Sequence, residues 1–533
     1  MDSLRAIAAR LAVVLVAIAA CVLAWRSGGG AEGASPPPQA AVAESVEAGA
    51  APSPLPSAPL PGGKGYEVVL RLIEIASTAR VDVANEPMTK ELLGAHWRKM
   101  RPVWSPVAGP NARFVSTVAL RTSAIETQAS LATGVGKAWS PDAKIWNMNE
   151  GSFEQRDALV GAAPSSFTFE LTVPEGAKLT FSMGTLNVTY ATTSFVVTVT
   201  DAKGAAHEIC RHRLGPAGAR RWTDVSCGLE SLAGQTIALR LSTETVASTA
   251  EERSAAGRQR ELARRAEIDA GVPKKDPAEV ALDADAGTPK EEMLTTPGTA
   301  VALWGSPTIL ARTVPRVPYN VLWIVVDALR PDVIASFHDD ADDAAKLAAE
   351  TPPLDALLPK VPGLTPALDD LAKRGVRFTD AYSGGSWTRP GTLSMLAGAR
   401  SSELGIDTQS WTLFPKDTAR FYASDPPLLP LLARRHGVST QAFVNNYFMV
   451  GYAPVGVEMG FERISDHRYR TRDTLEITRH ATGWIEANKD TRFFMFVNYN
   501  SPHEPYDPPE ELLARVPAPP GGPSDKIARL YMA

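Results

Sequence analysis

The chain has 533 residues, 44% of them hydrophobic, with 54 basic and 59 acidic side chains and a net charge of -5. That length leaves room for two or three domains, and the apolar share supports real cores. The mildly acidic balance argues against a nucleic-acid binder.

Residues 1–26 predict an export segment. Arg5 and Arg10 precede an apolar run from Leu11 to Trp25, which Arg26 closes. The run is short for a membrane span, which takes about 20 residues, and long enough for a signal h-region. Ile18-Ala19-Ala20-Cys21 resembles a bacterial lipobox, in which Cys21 would carry lipid. The apolar Val22–Trp25 favours an uncleaved anchor instead, and a cleaved signal is the third alternative. Each puts the bulk of the chain outside the cytoplasm, in the cell envelope. Residues 27–64 are rich in Gly, Ala, Pro and Ser and read as a disordered tether.

Residues 65–311 predict an all-β domain. Phe167–Val173 alternates, Pro174-Glu175-Gly176 turns the chain, and Leu179–Met183 and Ser194–Thr200 follow as further short strands. Regular turn signals between short strands predict a β-sandwich. Trp222–Val225, Leu232–Leu241 and Ala302–Pro307 resemble pieces of jelly-roll, carbohydrate-binding-like domains. That resemblance implies either glycan binding or a spacer role. The charged stretch 249–298 reads as an insertion, a solvated helix followed by a disordered loop. Cys210 and Cys227 form an even pair on segments expected to be neighbouring strands, which predicts a disulfide in an exported protein.

The stretch 318–400 carries the chemistry. Val321–Val326 is apolar and largely β-branched and ends on Asp327. This predicts a strand buried on both faces of a parallel sheet, with Asp327 just past its carboxyl end. There Asp327 serves as a metal or phosphate ligand, or as a helix N-cap. Asp332 reads as a cap, and 339–360 as an acidic, Pro-containing insertion. A helix is predicted over 366–374, stopped by Gly375, with a short strand from Val376 to Phe378. Ser383–Gly391 reads as a tight polar loop opening an apolar helix from Thr392 to Leu396, where free N–H groups suit an anion.

TPALDDLAKRGVRFTDAY over 365–382 and Thr388-Arg389-Pro390-Gly391-Thr392-Leu393 through Gly398 resemble the sulfatase and alkaline phosphatase superfamily. The resemblance covers 318–533. It implies an α/β, alkaline-phosphatase-like sulfatase domain, its N-terminal half, preceded by the all-β jelly-roll-like sandwich. It makes Thr388 the nucleophile, with Asp327 and Thr388 as ligands of a divalent metal ion, Ca, Mg, Mn or Zn. His503, in Asn500–Tyr506, matches a family loop whose His contacts the ester or leaving oxygen. Arg389 either clamps a tetrahedral anion or is a surface arginine. His338, His436, His467 and His480 read as surface residues.

Leu428–Leu432 predicts a helix, and Val438–Val444 and Phe493–Tyr499 predict buried strands. Asn445 and Tyr447 stand where formylglycine sulfatases resembling this chain carry Lys and His, and Asn445 and Asn446 are expected to hydrogen-bond an anion. Threonine is not converted to formylglycine, so Thr388 favours phosphate over sulfate esters. Ala328 stands in the neighbouring ligand position. No Ser-Asp-His-Gly motif follows His503, and Asp466-His467 follows no apolar run. The expectation is therefore twofold: either the chain continues beyond Ala533, or it is a pseudoenzyme. A truncated sheet would leave an unpaired apolar edge.

The functional expectation is a hydrolase or transferase of sulfate or phosphate esters, its substrate glycan- or lipid-linked. The membrane is a partner through the N-terminal segment, and nucleic acid is not one. The alternative is an inactive, envelope-anchored glycan-binding or scaffolding protein.

Overall fold

The computed structural model describes residues 65–83, 100–101, 110–122, 153–185, 191–219, 221–258, 300–313, 319–330, 334, 336, 365–378, 380–406, 421, 426–446, 460–466 and 474–503. The leader with Cys21, the tether, most of the charged insertion, Asp332, the 339–360 insertion, His338, Tyr447 and His467 lie outside them.

Twelve strands make the first part. They are β1 (Gly65–Arg71), β2 (Arg80–Val83), β3 (Met100–Arg101), β4 (Val115–Thr122), β5 (Phe153–Ala162), β6 (Ser165–Thr172), β7 (Ala177–Thr185), β8 (Thr192–Thr200), β9 (Ala206–Leu214), β10 (Arg221–Gly228), β11 (Thr236–Val246) and β12 (Val301–Thr313). A five-stranded sheet, β2-β6-β11-β8-β9, faces a larger sheet. Alternating strands turn one face inward, so Phe167, Phe169, Phe195, Leu239 and Leu241 meet Phe181, Met183, Trp304 and Ile309 in one core. Trp304 lies against Phe181 and Phe195, with ring centroids 4.7 and 5.0 Å away.

The larger sheet also closes on itself. β12 pairs with β7 and β5, β7 with β10, β10 with β4, and β4 with β5. Trp222, Val118, Leu120, Val160 and Leu303 cluster from the strands of this ring. Gly184 and Gly305 let the indole in: a Cβ at Gly305 would stand 2.7 Å from the Trp222 ring.

The expected disulfide is present, Cys210 to Cys227. Its strands are not sheet neighbours, however. β9 is the edge of the five-stranded sheet and β10 lies inside the larger one, so the bond ties the two layers together. The charged segment begins as a helix over 250–258. Thr249 and Glu252 cap it reciprocally, Glu252 N–H on Thr249 Oγ1 at 3.2 Å and Thr249 N–H on Glu252 Oε2 at 2.7 Å.

The second part contributes β13 (Val321–Val326), helices α1 (Pro366–Arg374), α2 (Thr388–Ala397) and α3 (Leu429–Arg435), β14 (Ser439–Val444), β15 (Arg463–Asp466), α4 (Thr474–Ala487) and β16 (Phe493–Tyr499). β15, β14, β16 and β13 run parallel, in that order. β5 pairs antiparallel with β15, so the larger sheet continues from the first part into the second. Arg71 is buried at this join. It donates to Glu462, to the Arg434 carbonyl at 3.0 Å and to the Val438 carbonyl at 3.0 Å. Arg434 in turn donates to Glu74 at 2.7 Å.

Three expectations need correction. β13 forms, but among the described strands it has one neighbour, β16, and Leu322 and Ile324 are 49% and 52% exposed. Among the described strands it therefore lies at the sheet edge rather than buried on both faces. Val376–Phe378 is not a strand, and Val376 and Phe378 are exposed. Asp466 ends the short strand β15, in register with Val444, and the Arg463-Ile464-Ser465 before it is no apolar run. His480 is buried against the sheet on α4 rather than on the surface.

Candidate active site

Four parallel strands deliver their carboxyl ends to one edge, where polar groups gather in open α/β sheets. β13 hands the chain to Asp327, whose N–H donates to the Tyr499 carbonyl at 2.8 Å. That bond fixes the backbone of Asp327 on β16. Ala328 then takes φ +57°, a left-handed conformation uncommon for a residue with a Cβ. Such local strain is kept where the surrounding structure demands it, and functional sites are where it clusters.

α2 begins at Thr388 itself, not at Thr392. Trp387 is extended at the cap, and Gly391 N–H donates to the Trp387 carbonyl at 3.1 Å. The preceding loop lies directly on the helix. A Cβ on Gly384 would stand 2.3 Å from Ser394 Cβ, and one on Gly385 2.6 Å from Pro390 Cβ, so only glycine fits. Thr388 is thus held in the first turn, at the positive end of the helix dipole.

Thr388 Oγ1 donates to Asp327 Oδ2 at 3.0 Å. Asn446 Nδ2 donates to the same carboxylate oxygen at 2.6 Å and to Asn500 Oδ1 at 2.9 Å. Asn500 N–H donates to Asn445 Oδ1 at 2.8 Å. Asn445, Asn446 and Asn500 are all buried. The register explains the convergence. Val326 pairs with Tyr499 and Phe443 with Val497, so one further residue on β13 and β16 and three on β14 bring Asp327, Asn500 and Asn446 level.

Of the residues expected at the site, Asp327 and Thr388 meet. Arg389 is not a surface arginine: it is 1% exposed, and its guanidinium lies 5.1 Å from the centre of the Trp387 ring. His503 sits in the turn after β16, its N–H on the Asn500 carbonyl at 2.7 Å and its side chain exposed. Asn446 was expected to bind an anion; the structure puts it on Asp327. Asn500 was missed as a site residue. Its signal was a polar residue directly after a buried apolar run, the same signal that singled out Asp327.

The groups that could hold a divalent cation are oxygen donors: the Asp327 carboxylate, the Thr388 hydroxyl and the amides of Asn446 and Asn500. Hard oxygen sets suit Ca²⁺, Mg²⁺ or Mn²⁺ better than Zn²⁺. Cys210, His212 and Cys227 also converge, in the sandwich, but the two sulfurs are joined to each other.

A family model described as Sulfatase matches residues 320–519. That span takes in Asp327, Thr388, Asn446, Asn500 and His503. No curated protein matches the chain. Among solved structures, the K3 adhesin domain of Lys-gingipain from Porphyromonas gingivalis w83 is 15% identical over 17% of this chain and 71% of its own, with a TM-score of 0.14. The CBM22-1 xylan-binding domain of Paenibacillus barcinonensis Xyn10C is 12% identical over 31% and 74%, with a TM-score of 0.15. Scores this low do not bear on the fold. The family match and the strand-end site fall on the same residues, and residues 320–519 carry a Sulfatase-family domain.

Proposed function

We propose that this domain cleaves or transfers sulfate or phosphate esters through Thr388, with phosphate esters preferred. The observation that carries the reading is the Thr388 Oγ1 to Asp327 Oδ2 hydrogen bond at the carboxyl ends of parallel strands. Thr388 Oγ1 attacks phosphorus, the new O–P bond forms, and the bond to the ester oxygen breaks. The Thr388 proton passes to Asp327 Oδ2, which accepts its hydrogen bond, and the leaving alcohol takes a proton from solvent at the oxygen that His503, exposed beside the strand end, is assigned to contact. Water or an alcohol then attacks the phosphothreonine and frees the Thr388 hydroxyl.

Asp327 orients the hydroxyl and favours its deprotonation. The positive end of the α2 dipole faces the developing charge. Arg389, held over Trp387 in the same turn, adds positive charge there. A bound divalent cation, held by Asp327 and Thr388, would lower the hydroxyl pKa and neutralise the equatorial oxygens. A sulfated threonine lacks the carbonyl-hydrate release open to formylglycine, which is the reason phosphate is preferred.

The proposed setting is the cell envelope, with the N-terminal segment as membrane anchor. The Cys210–Cys227 disulfide supports an oxidising compartment. The first test is turnover of aryl phosphates and aryl sulfates by the full chain with Mg²⁺, Mn²⁺ or Ca²⁺. Thr388→Ala and Asp327→Ala are expected to abolish it. Unchanged rates in Thr388→Ala would remove the nucleophile assignment. Glycan binding without turnover would favour the scaffolding alternative.

A further inference from the structure

Two strand ends, those of β14 and β16, present uncharged amides beside the carboxylate at the end of a third, β13. Buried amides are costly unless each finds a partner. Asn445 Oδ1 is used on the Asn500 N–H, which braces β14 against β16. Asn446 is turned the other way, its Nδ2 donating both to Asp327 Oδ2 and to Asn500 Oδ1. An amide presents either its nitrogen or its oxygen by a half-turn of its terminal torsion. Such a half-turn would bring Asn446 Oδ1 to where Nδ2 now stands, 2.6 Å from Asp327 Oδ2, facing a cation on that carboxylate.

We infer that Asn446 and Asn500 are metal-ligating residues, whose amide oxygens complete a hard-cation site with Asp327 and Thr388. The inference rests on the reading that the site works with a divalent cation. Two ligands hold such a cation poorly, and two amide carbonyls at the same level raise the donor count without adding charge. The site then carries one formal negative charge. Its affinity for a bare cation is correspondingly modest, and it rises when an anionic ester oxygen joins the shell. The amides also leave room for that anion, which a second and third carboxylate would repel.

The test is terbium(III) binding to the full chain, followed by tryptophan-sensitised luminescence, with Ca²⁺ as competitor and thermal melting as the folding control. Trp387 adjoins Thr388 and serves as a donor. The wild-type protein is expected to bind terbium, Asp327→Asn to lose it, and Asn446→Ala and Asn500→Ala each to weaken it by about tenfold or more. Asn446→Asp, nearly isosteric, is expected to tighten it, because a ligand position gains charge. Inorganic phosphate is expected to tighten terbium at the wild-type site. If Asp327→Asn abolishes binding while both alanine variants bind like wild type, the amides are not ligands and the inference falls, with the proposed function intact. If Asn446→Asp stays folded but binds no tighter, the ligand role of Asn446 falls by a second route. If the wild-type protein binds no terbium, or Asp327→Asn binds it equally well, the cation reading itself falls and takes the inference with it.

Discussion

Arg71 and Glu462, 391 positions apart, form a buried ion pair where β1 meets the turn into β15. Glu462 also accepts from Ser439 Oγ at 2.9 Å, at the start of β14. The strand whose far end carries Asn446 is thus anchored to the sandwich part of the chain. Removing one partner leaves the other charge buried and alone. Arg71→Met and Glu462→Met should each cost about 3–5 kcal/mol, and the double variant less than their sum. Urea unfolding of the three variants checks this; additive losses would mean that the pair does not couple.

Asp224 sets a pH dependence. Asp224 is half exposed, and the Arg156 and Arg463 guanidinium groups with the Ser182 hydroxyl hold its carboxyl below the ordinary value of 3.8. A group lowered on folding stabilises above its unfolded pKa and loses that contribution as pH falls through the folded one. Asp224→Asn should therefore melt lower than wild type at pH 7. The gap should shrink as pH drops below about 4. A gap that widens in acid would contradict the assignment.

The disulfide ties two layers rather than two neighbouring strands. Cysteines 17 positions apart close a loop whose cross-link stabilises by about 3 kcal/mol. Cys210→Ser with Cys227→Ser should lower the melting temperature by several degrees, and reductant should do the same to wild type but not to the variant. Equal sensitivity of both to reductant would point to an effect elsewhere.

β13 presents Val321, Leu322 and Ile324 at a sheet edge. Unprotected apolar edges pair with other strands. The chain as it stands should self-associate with rising concentration, and Leu322→Lys with Ile324→Lys should return it toward monomer by light scattering. A monomer at all concentrations would show that the edge is covered.

Asp327 and Thr388 could be read in the sequence because each sits in a local pattern, a strand end and a loop before a helix. The edge position of β13 could not. A run of apolar residues looks the same whether one neighbour or two pair with it, and pairing depends on strands far away in sequence. The same holds for Asn446 and Asn500, which meet Asp327 only through the register of three parallel strands. The join of β5 to β15 was hidden for a related reason: Arg463–Asp466 is too short to declare itself as a strand without its partners. The sequence leaves Arg389 between two roles because burial is a tertiary property, and Trp387 beside it gives no sign of stacking.

The central claim is that Thr388 carries the transferred group. The direct measurement is acid quenching of the full chain during turnover of an aryl phosphate, then mass spectrometry of the peptide containing Thr388. The account predicts a phosphorylated Thr388 in the quenched sample and none in Asp327→Ala. Turnover that leaves Thr388 unmodified at every quench time, with full activity in Thr388→Ala, would contradict it.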